Sequence, residues 1–249
     1  MGAMEVRIFG TKGEMGAAAA AAGADRIRVA LAGGGEARIV MASAASQFEV
    51  VEALTVAPGI AWERVTLFHL DEYIGLSSTH PASFGKFLRD RFIAKLPRGL
   101  KEFHAIEGEQ EAVPECARIG ELLAERAPEV AFIGVGENGH IAFNDPPANF
   151  ETKAPYLVVE LDEICRQQQV GEGWFPNLEA VPTHAMSMSV RQIMKAGRIV
   201  CTVPDERKAD AVQKAVGEMV NPEMPATILQ EHNDCLLFLD ETAASRLPR

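Results

Sequence analysis

The stretch AFIGVGENGHIAFNDPP, residues 131–147, places Gly134, Gly136 and Gly139 directly after a short apolar run. The spacing is G-x-G-x-x-G, and an acidic residue, Glu160, follows about 20 positions on, as a dinucleotide-binding fingerprint requires. Such a fingerprint needs its third glycine to open a helix, because the pyrophosphate rests on the helix N-terminus. Here the next residues are HIAFNDPPANFETKAP, and Pro146, Pro147 and Pro155 argue against a crossover helix before the apolar run at Tyr156. The motif also lies mid-chain rather than in the first βα unit. The glycines are therefore read as tight turns that bring main chain close to a small ligand and present His140.

Outward from this stretch, short apolar and β-branched runs recur: VRIF (6–9), RIVMA (38–42), RVTLFHL (64–70), VAFIGV (130–135), YLVVEL (156–161), RIVCTV (198–203) and CLLFL (235–239). Several are continuous rather than alternating, as expected of strands covered on both faces. Helical spacing separates them, over the Ala-rich segment 12–31 and over 48–57, 81–96, 111–126, 190–197 and 206–220. Strand alternating with helix predicts an α/β fold: a doubly wound, mostly parallel, Rossmann-like sheet with helices on both faces. No linker, repeat or charge block divides the chain, so residues 1–249 are expected to form a single domain.

A chain of 249 residues with 47% hydrophobic content is long enough for one large core. Its 24 basic and 35 acidic residues give a net charge of -11, which opposes nucleic acid and anionic membrane surfaces as partners. A phosphorylated ligand must then be held by a few local donors against an unfavourable overall field. Cys116, Cys165, Cys201 and Cys235 are scattered without metal-ligand pairing and read as reduced, buried thiols. The start, MGAMEVRIFG, has no signal-peptide pattern, and no run approaches a membrane span, so a soluble, cytoplasmic protein is expected.

In such sheets ligands bind beyond the carboxyl ends of the strands. Four of these ends carry polar loops: SAASQ after 38–42, DEYIGL after 64–70, GENGHIAFND after 130–135 and PDERK after 198–203. His140 and Asp145 share one loop, while Asp71 and Glu72 end a strand on the same expected face. An imidazole and carboxylates at converging strand ends form a general acid–base set. Asp71 can equally serve as a helix or turn cap.

FHLDEYIGLSSTHPASFGKFL (68–88) together with IGVGENGHIAFNDPP (133–147) resembles the glucosamine-6-phosphate deaminase (isomerase) family, and the order of elements matches along nearly the whole chain. The related 6-phosphogluconolactonases share the fold but lack an LDEY-G-L-x-x-x-HP segment, so HIAFN and LDEYIGL favour the deaminase branch. The resemblance implies conversion of a 2-amino-2-deoxyhexose 6-phosphate, glucosamine 6-phosphate first, to a ketose 6-phosphate and ammonia. It places the protein among hydrolases, isomerases and deaminases of amino sugar metabolism.

In that reading His140 opens the sugar ring and Asp71 moves a proton from C2 to C1. Asp145 and Asn138 support the histidine, although the family often has Glu and Asp at these two positions. Asn138 can hydrogen-bond but cannot supply negative charge. Glu72 either positions substrate or caps. Phosphate is assigned to Ser43, Ala44, Ala45 and Ser46, where the family loop is richer in Gly and Thr, and to Lys208, with Gly136 and Gly139 shaping the loop around the sugar. The family's phosphate arginine has no clear counterpart, and Arg166 or Arg191 is the expected substitute. No metal or organic cofactor is called for, and no ligand set for one is seen. A homo-oligomer is compatible with the family. The alternatives are a phosphosugar isomerase or lactonase of altered specificity, and a non-catalytic sugar-phosphate sensor; the sensor is disfavoured because the acidic chain has no basic DNA-binding extension.

Overall fold

A computed structural model describes residues 4–248; the one-domain expectation also includes residues 1–3 and 249, which lie outside the described residues. Seven strands form one sheet: β1 (Glu5–Phe9), β2 (Ala37–Met41), β3 (Val65–His69), β5 (Glu102–His104), β6 (Val130–Ile133), β9 (Ile199–Val203) and β10 (Cys235–Asp240). Their order is β1-β10-β9-β6-β2-β3-β5 and every pairing is parallel. From β2 the chain steps outward to β3 and β5, whereas from β6 it steps the other way to β9 and β10. The reversal lies between neighbouring strands β2 and β6, and the crevice for a ligand opens beyond their carboxyl ends.

Alternation along the strands divides the core between the two faces. Ile39, Met41, Leu67, Phe132 and Phe238 pack with α1 (Lys12–Leu31) and α2 (Phe48–Thr55). Val40, Phe68, Ala131, Ile133 and Cys201 pack with α4 (Ala112–Ala124), α6 (Val190–Ile193) and α7 (Ala209–Gly217). The doubly wound fold expected from the alternating elements is the one observed.

Helix α1 starts where Thr11 and Glu14 form a capping box, the hydroxyl accepting from Glu14 N and the carboxylate from Thr11 N. Its alanines are packed: Ala19, Ala20 and Ala24 are buried. Gly23 lets the helix approach the sheet closely, since a Cβ there would lie 2.2 Å from the Phe132 ring.

Two expectations are corrected. The run at 156–161 is β7 (Tyr156–Glu160), but it joins a separate antiparallel sheet, β4-β8-β7, with β4 (Asp71–Tyr73) and β8 (His184–Met188). The reason is visible in its burial, which alternates; a strand wet on one face suits an antiparallel pairing. The helix expected over 81–96 is broken into α3 (Phe84–Phe87), a π-helical turn (Leu88–Phe92) and a 3₁₀ turn (Ile93–Lys95). The wider turn keeps Phe87, Leu88 and Phe92 all buried. Strands β4, β5 and β8 carry polar residues and are short, so no apolar run announced them. No helix among the described residues is long and apolar enough to cross a membrane.

Candidate active site

A cavity of about 220 Å³ opens beyond the carboxyl ends of β2, β3, β6 and β9. All four loops named from the sequence reach it, through Ser43–Ser46, Asp71, Gly134–Gly136 with His140, and Asp205, Arg207 and Lys208. Helix α5 (Glu163–Gly171), which no sequence pattern singled out, closes it with Gln168, Gln169 and the following Glu172. Gln47 ties three of the loops together, its amide donating to Ile133 O at 3.0 Å and Thr202 Oγ1 at 2.7 Å.

The loop after β6 shows why its residues are what they are. No helix follows Gly139 before β7, so no dinucleotide site forms. Gly136 lies under the imidazole: a Cβ there would stand 2.2 Å from His140 Cε1. Gly139 has φ +85°, a left-handed turn that aims His140 into the cavity. Ala142 also has positive φ, +50°, an unfavourable backbone held in place by its neighbours. Asn144 is buried and donates to Ile141 O and Met188 O, and Phe143 N donates to Ser187 Oγ. Phe143 stacks with Phe84 and touches Tyr73, joining the loop to the small sheet.

His140 is buried, with Nδ1 3.1 Å from Asp145 Oδ1, an ion-pair distance without the alignment of a full hydrogen bond. Asp145 stands behind the histidine, outside the cavity lining. Burial pushes its carboxyl up, but His140, the amide of Asn138 and the N–H of Asp162 together outweigh that and hold it below its ordinary value. Asn138 Nδ2 bridges Asp145 Oδ1 at 2.9 Å and Asp162 Oδ2 at 2.8 Å, while its Oδ1 accepts from His140 N. A carboxylate at 138 would face two others, Asp145 and Asp162.

Asp71 also lines the cavity and is buried; burial, and then the charge of Glu72, push its carboxyl up to about 8. Glu72 does not line the cavity, which corrects its expected place at the substrate. Its carboxylate accepts from Ser83 Oγ and from the N–H groups of Tyr73, Phe84 and Gly85, capping α3 and fixing the backbone beside Asp71. Burial nonetheless leaves the Glu72 carboxyl raised, against the pull of these donors.

At the far end Lys208 is buried, 3.7 Å from Glu172 and without a hydrogen-bond partner. Burial lowers its pKa, against the opposing pull of Glu172 and Glu137. The Ser43 hydroxyl is likewise buried and unpartnered. Lys12 and Arg207 complete the cationic end, both leaning on Asp205, at 2.9 and 3.9 Å. Neither was singled out from the sequence; Arg207 lay in the quoted PDERK loop, but Lys12 is remote in sequence and carried no signal. Arg166 and Arg191 do not line the cavity, which corrects the expected phosphate arginine. Arg166 donates to Leu178 O and Val181 O, and Arg191 is an exposed residue of α6. Gly139 and Asn138 act through the loop rather than by lining the cavity.

Comparison with known proteins gives the following. Residues 10–238 match the family model described as glucosamine-6-phosphate isomerases/6-phosphogluconolactonase. A glucosamine-6-phosphate deaminase of an Exiguobacterium species is 41% identical over 183 residues, 73% of this chain and 70% of that protein. One from Listeria monocytogenes is 34% identical over 214 residues, 86% of this chain and 89% of that protein. A solved structure of a monomeric glucosamine-6-phosphate deaminase superposes with a TM-score of 0.89 at 28% identity, covering 97% of this chain and 99% of that one. The 6-phosphogluconolactonase of Trypanosoma brucei reaches a TM-score of 0.81 over the full length of both chains, but at 16% identity it shares the fold alone. The hydrolase class set beside isomerase and deaminase in the sequence reading is thereby corrected: the nearer relatives are deaminases, and the lactonases are distant.

Proposed function

The chain belongs to the glucosamine-6-phosphate isomerase/6-phosphogluconolactonase family, and from that premise we propose how its residues carry out the deaminase reaction. The protein is an enzyme that converts glucosamine 6-phosphate to fructose 6-phosphate and ammonia. The observation that carries the residue assignment is the shared cavity: Asp71 and His140 line one space with the unpartnered Lys208 at its other end.

His140 transfers the anomeric proton to the ring oxygen and opens the sugar, with Asp145 behind Nδ1 orienting the ring. Asp71 then takes the proton from C2 of the open-chain aldehyde while O1 gains one, giving an enolamine, and delivers it to C1, leaving an iminium at C2 that water attacks. The C2 nitrogen leaves as ammonia, its place taken by oxygen from water. A base with a raised pKa suits this two-way traffic, since it both accepts and returns a proton near neutral pH. Lys208, Ser43, Lys12 and Arg207 hold the phosphate, local cations offsetting a chain of net charge -11.

One seven-stranded sheet carries all four cavity loops, which supports a single catalytic domain. Four free, buried thiols support a reducing, cytoplasmic setting. The test is ammonia release from glucosamine 6-phosphate and galactosamine 6-phosphate, alongside lactone hydrolysis, for the wild type and Asp71→Asn. The expected result is ammonia from glucosamine 6-phosphate and a loss of about 10²- to 10⁴-fold in kcat for Asp71→Asn. Tight phosphosugar binding with no turnover would overturn the enzymatic assignment.

A further inference from the structure

His140 and Asp145 have a neighbour that the reaction does not use. Cys165, in the first turn of α5, is a free and fully buried thiol. One ligand atom from each of His140, Asp145 and Cys165 can be chosen so that all three lie within 4.8 Å of one another. Nδ1 of His140 faces this group and has no aligned hydrogen-bond partner of its own. We infer that His140, Asp145 and Cys165 form a binding site for a thiophilic divalent cation, and that its occupation arrests the enzyme.

The geometry suits a small tetrahedral ion. Zinc bound to nitrogen, oxygen and sulfur at about 2.0–2.3 Å needs ligand atoms roughly 3.3–3.8 Å apart. His140 and Asp145 are already at 3.1 Å, and drawing in the thiol by about 1 Å closes the set. The outer shell is in place as well. Asn138 Nδ2 and the N–H of Asp162 fix the Asp145 carboxylate, and Asp162 Oδ1 accepts from Cys165 N, which fixes the start of α5. Asp145 lines a neighbouring cleft with Asn144, Asp162 and Arg166, which is the route in and supplies the fourth ligand, a water.

Binding exchanges the Cys165 thiol proton for the metal, with no change of oxidation state. A neutral imidazole ligated through Nδ1 keeps its proton on Nε2. Nε2 can then donate but cannot accept, so the anomeric proton has no base and ring opening stops. The phosphate end is untouched, so inhibition lowers kcat and leaves KM nearly unchanged. This inhibitory half rests on the role proposed for His140; the metal site itself does not.

Two measurements separate them. With Co²⁺ as probe, the wild type should show a thiolate-to-cobalt charge-transfer band that Cys165→Ser lacks. Zn²⁺ should inhibit the wild type, and Cys165→Ser, with unchanged activity in chelator, should need about 10-fold more zinc or higher, since even outer-shell changes cost that much affinity. If the variant fails to fold, zinc absorption-edge spectroscopy on the wild type with one equivalent of Zn²⁺ decides, by one sulfur at about 2.3 Å. Absence of sulfur or of the charge-transfer band would overturn the site. The band without inhibition would retain the site and overturn the arrest, and with it the role of His140.

Discussion

The two ends of the cavity are built on opposite plans. At the reacting end the protein's own groups are braced from behind: Asn138 bridges two carboxylates, Asp145 stands 3.1 Å from His140 Nδ1, and Glu72 collects four donors beside Asp71. At the phosphate end Ser43 and Lys208 are buried without a hydrogen-bond partner, and Lys12 and Arg207 lean on Asp205 from half-exposed positions. Buried polar groups are nearly always hydrogen-bonded, so an ammonium and a hydroxyl that face one cavity without a hydrogen-bond partner mark where the ligand completes the structure. One end is preorganised for proton transfer, while the other is left unsatisfied for an anion.

The sharpest way to break this contrast is at Lys208. If the ammonium is held for the phosphate, Lys208→Met should raise KM for glucosamine 6-phosphate by about 10- to 100-fold, the worth of a buried charged contact. Turnover at saturation should fall far less, because the reacting end is built separately. On unphosphorylated glucosamine the variant and the wild type should behave alike. Steady-state kinetics on the two sugars check this, and equal losses on both would erase the distinction between the ends.

A second test works from the reacting end, through stability. Burial raises Asp71 from the ordinary carboxylate value of 3.8 to about 8. A raised folded-state pKa means the folded protein binds the extra proton, so the stability this gives is complete below pH 3.8 and is lost progressively as pH rises to about 8. Asp71→Asn has no charge to bury. It should melt higher than the wild type, with the gap widening toward pH 8, by about 2–4 °C for each kcal/mol relieved. In the wild type kcat/KM should rise with pH through the same range as the base ionises. Thermal melts across pH check the first, and a variant less stable than wild type at pH 8 would show that Asp71 is structural rather than held in reserve.

The two ends also differ in how legibly the sequence encodes them. The reacting end lies in two continuous stretches, and Asp71, His140 and Asp145 could be named because the chemistry needs those residue types at strand ends. Asp162 could not, because its relation to Asn138 exists only once β7 folds back in the antiparallel sheet. The phosphate end draws Lys12 from the start of α1 and Arg207 from the far side of β9, almost two hundred positions apart in sequence and joined only at Asp205. The resemblance points to an arginine in the segment after β7, but the fold turns Arg166 toward carbonyls instead. The parallel sheet was readable because its strands are buried on both faces and so continuous in apolar residues. The small sheet was not, since DEY and HAMSM carry the polar groups that serve the site.

The smallest effect expected is at Arg207. Its side chain is 47% exposed and its partners are distant, 3.6 Å to Glu137 and 3.9 Å to Asp205. Such a group contributes about 1 kcal/mol or less, so Arg207→Ala should raise KM only about 2- to 5-fold. Because the contribution is exposed, it should be screened: the gap between variant and wild type should narrow as salt rises from 0.01 to about 0.15 M, where the Debye length falls to about 8 Å. Lys208, being buried, should show little such dependence. Kinetics of both variants across ionic strength distinguish an arginine that steers phosphate from one locked into the site; a loss at Arg207 as large and as insensitive to salt as that at Lys208 would mean that the arginine swings inward on binding and that the phosphate end is built by closure rather than left open.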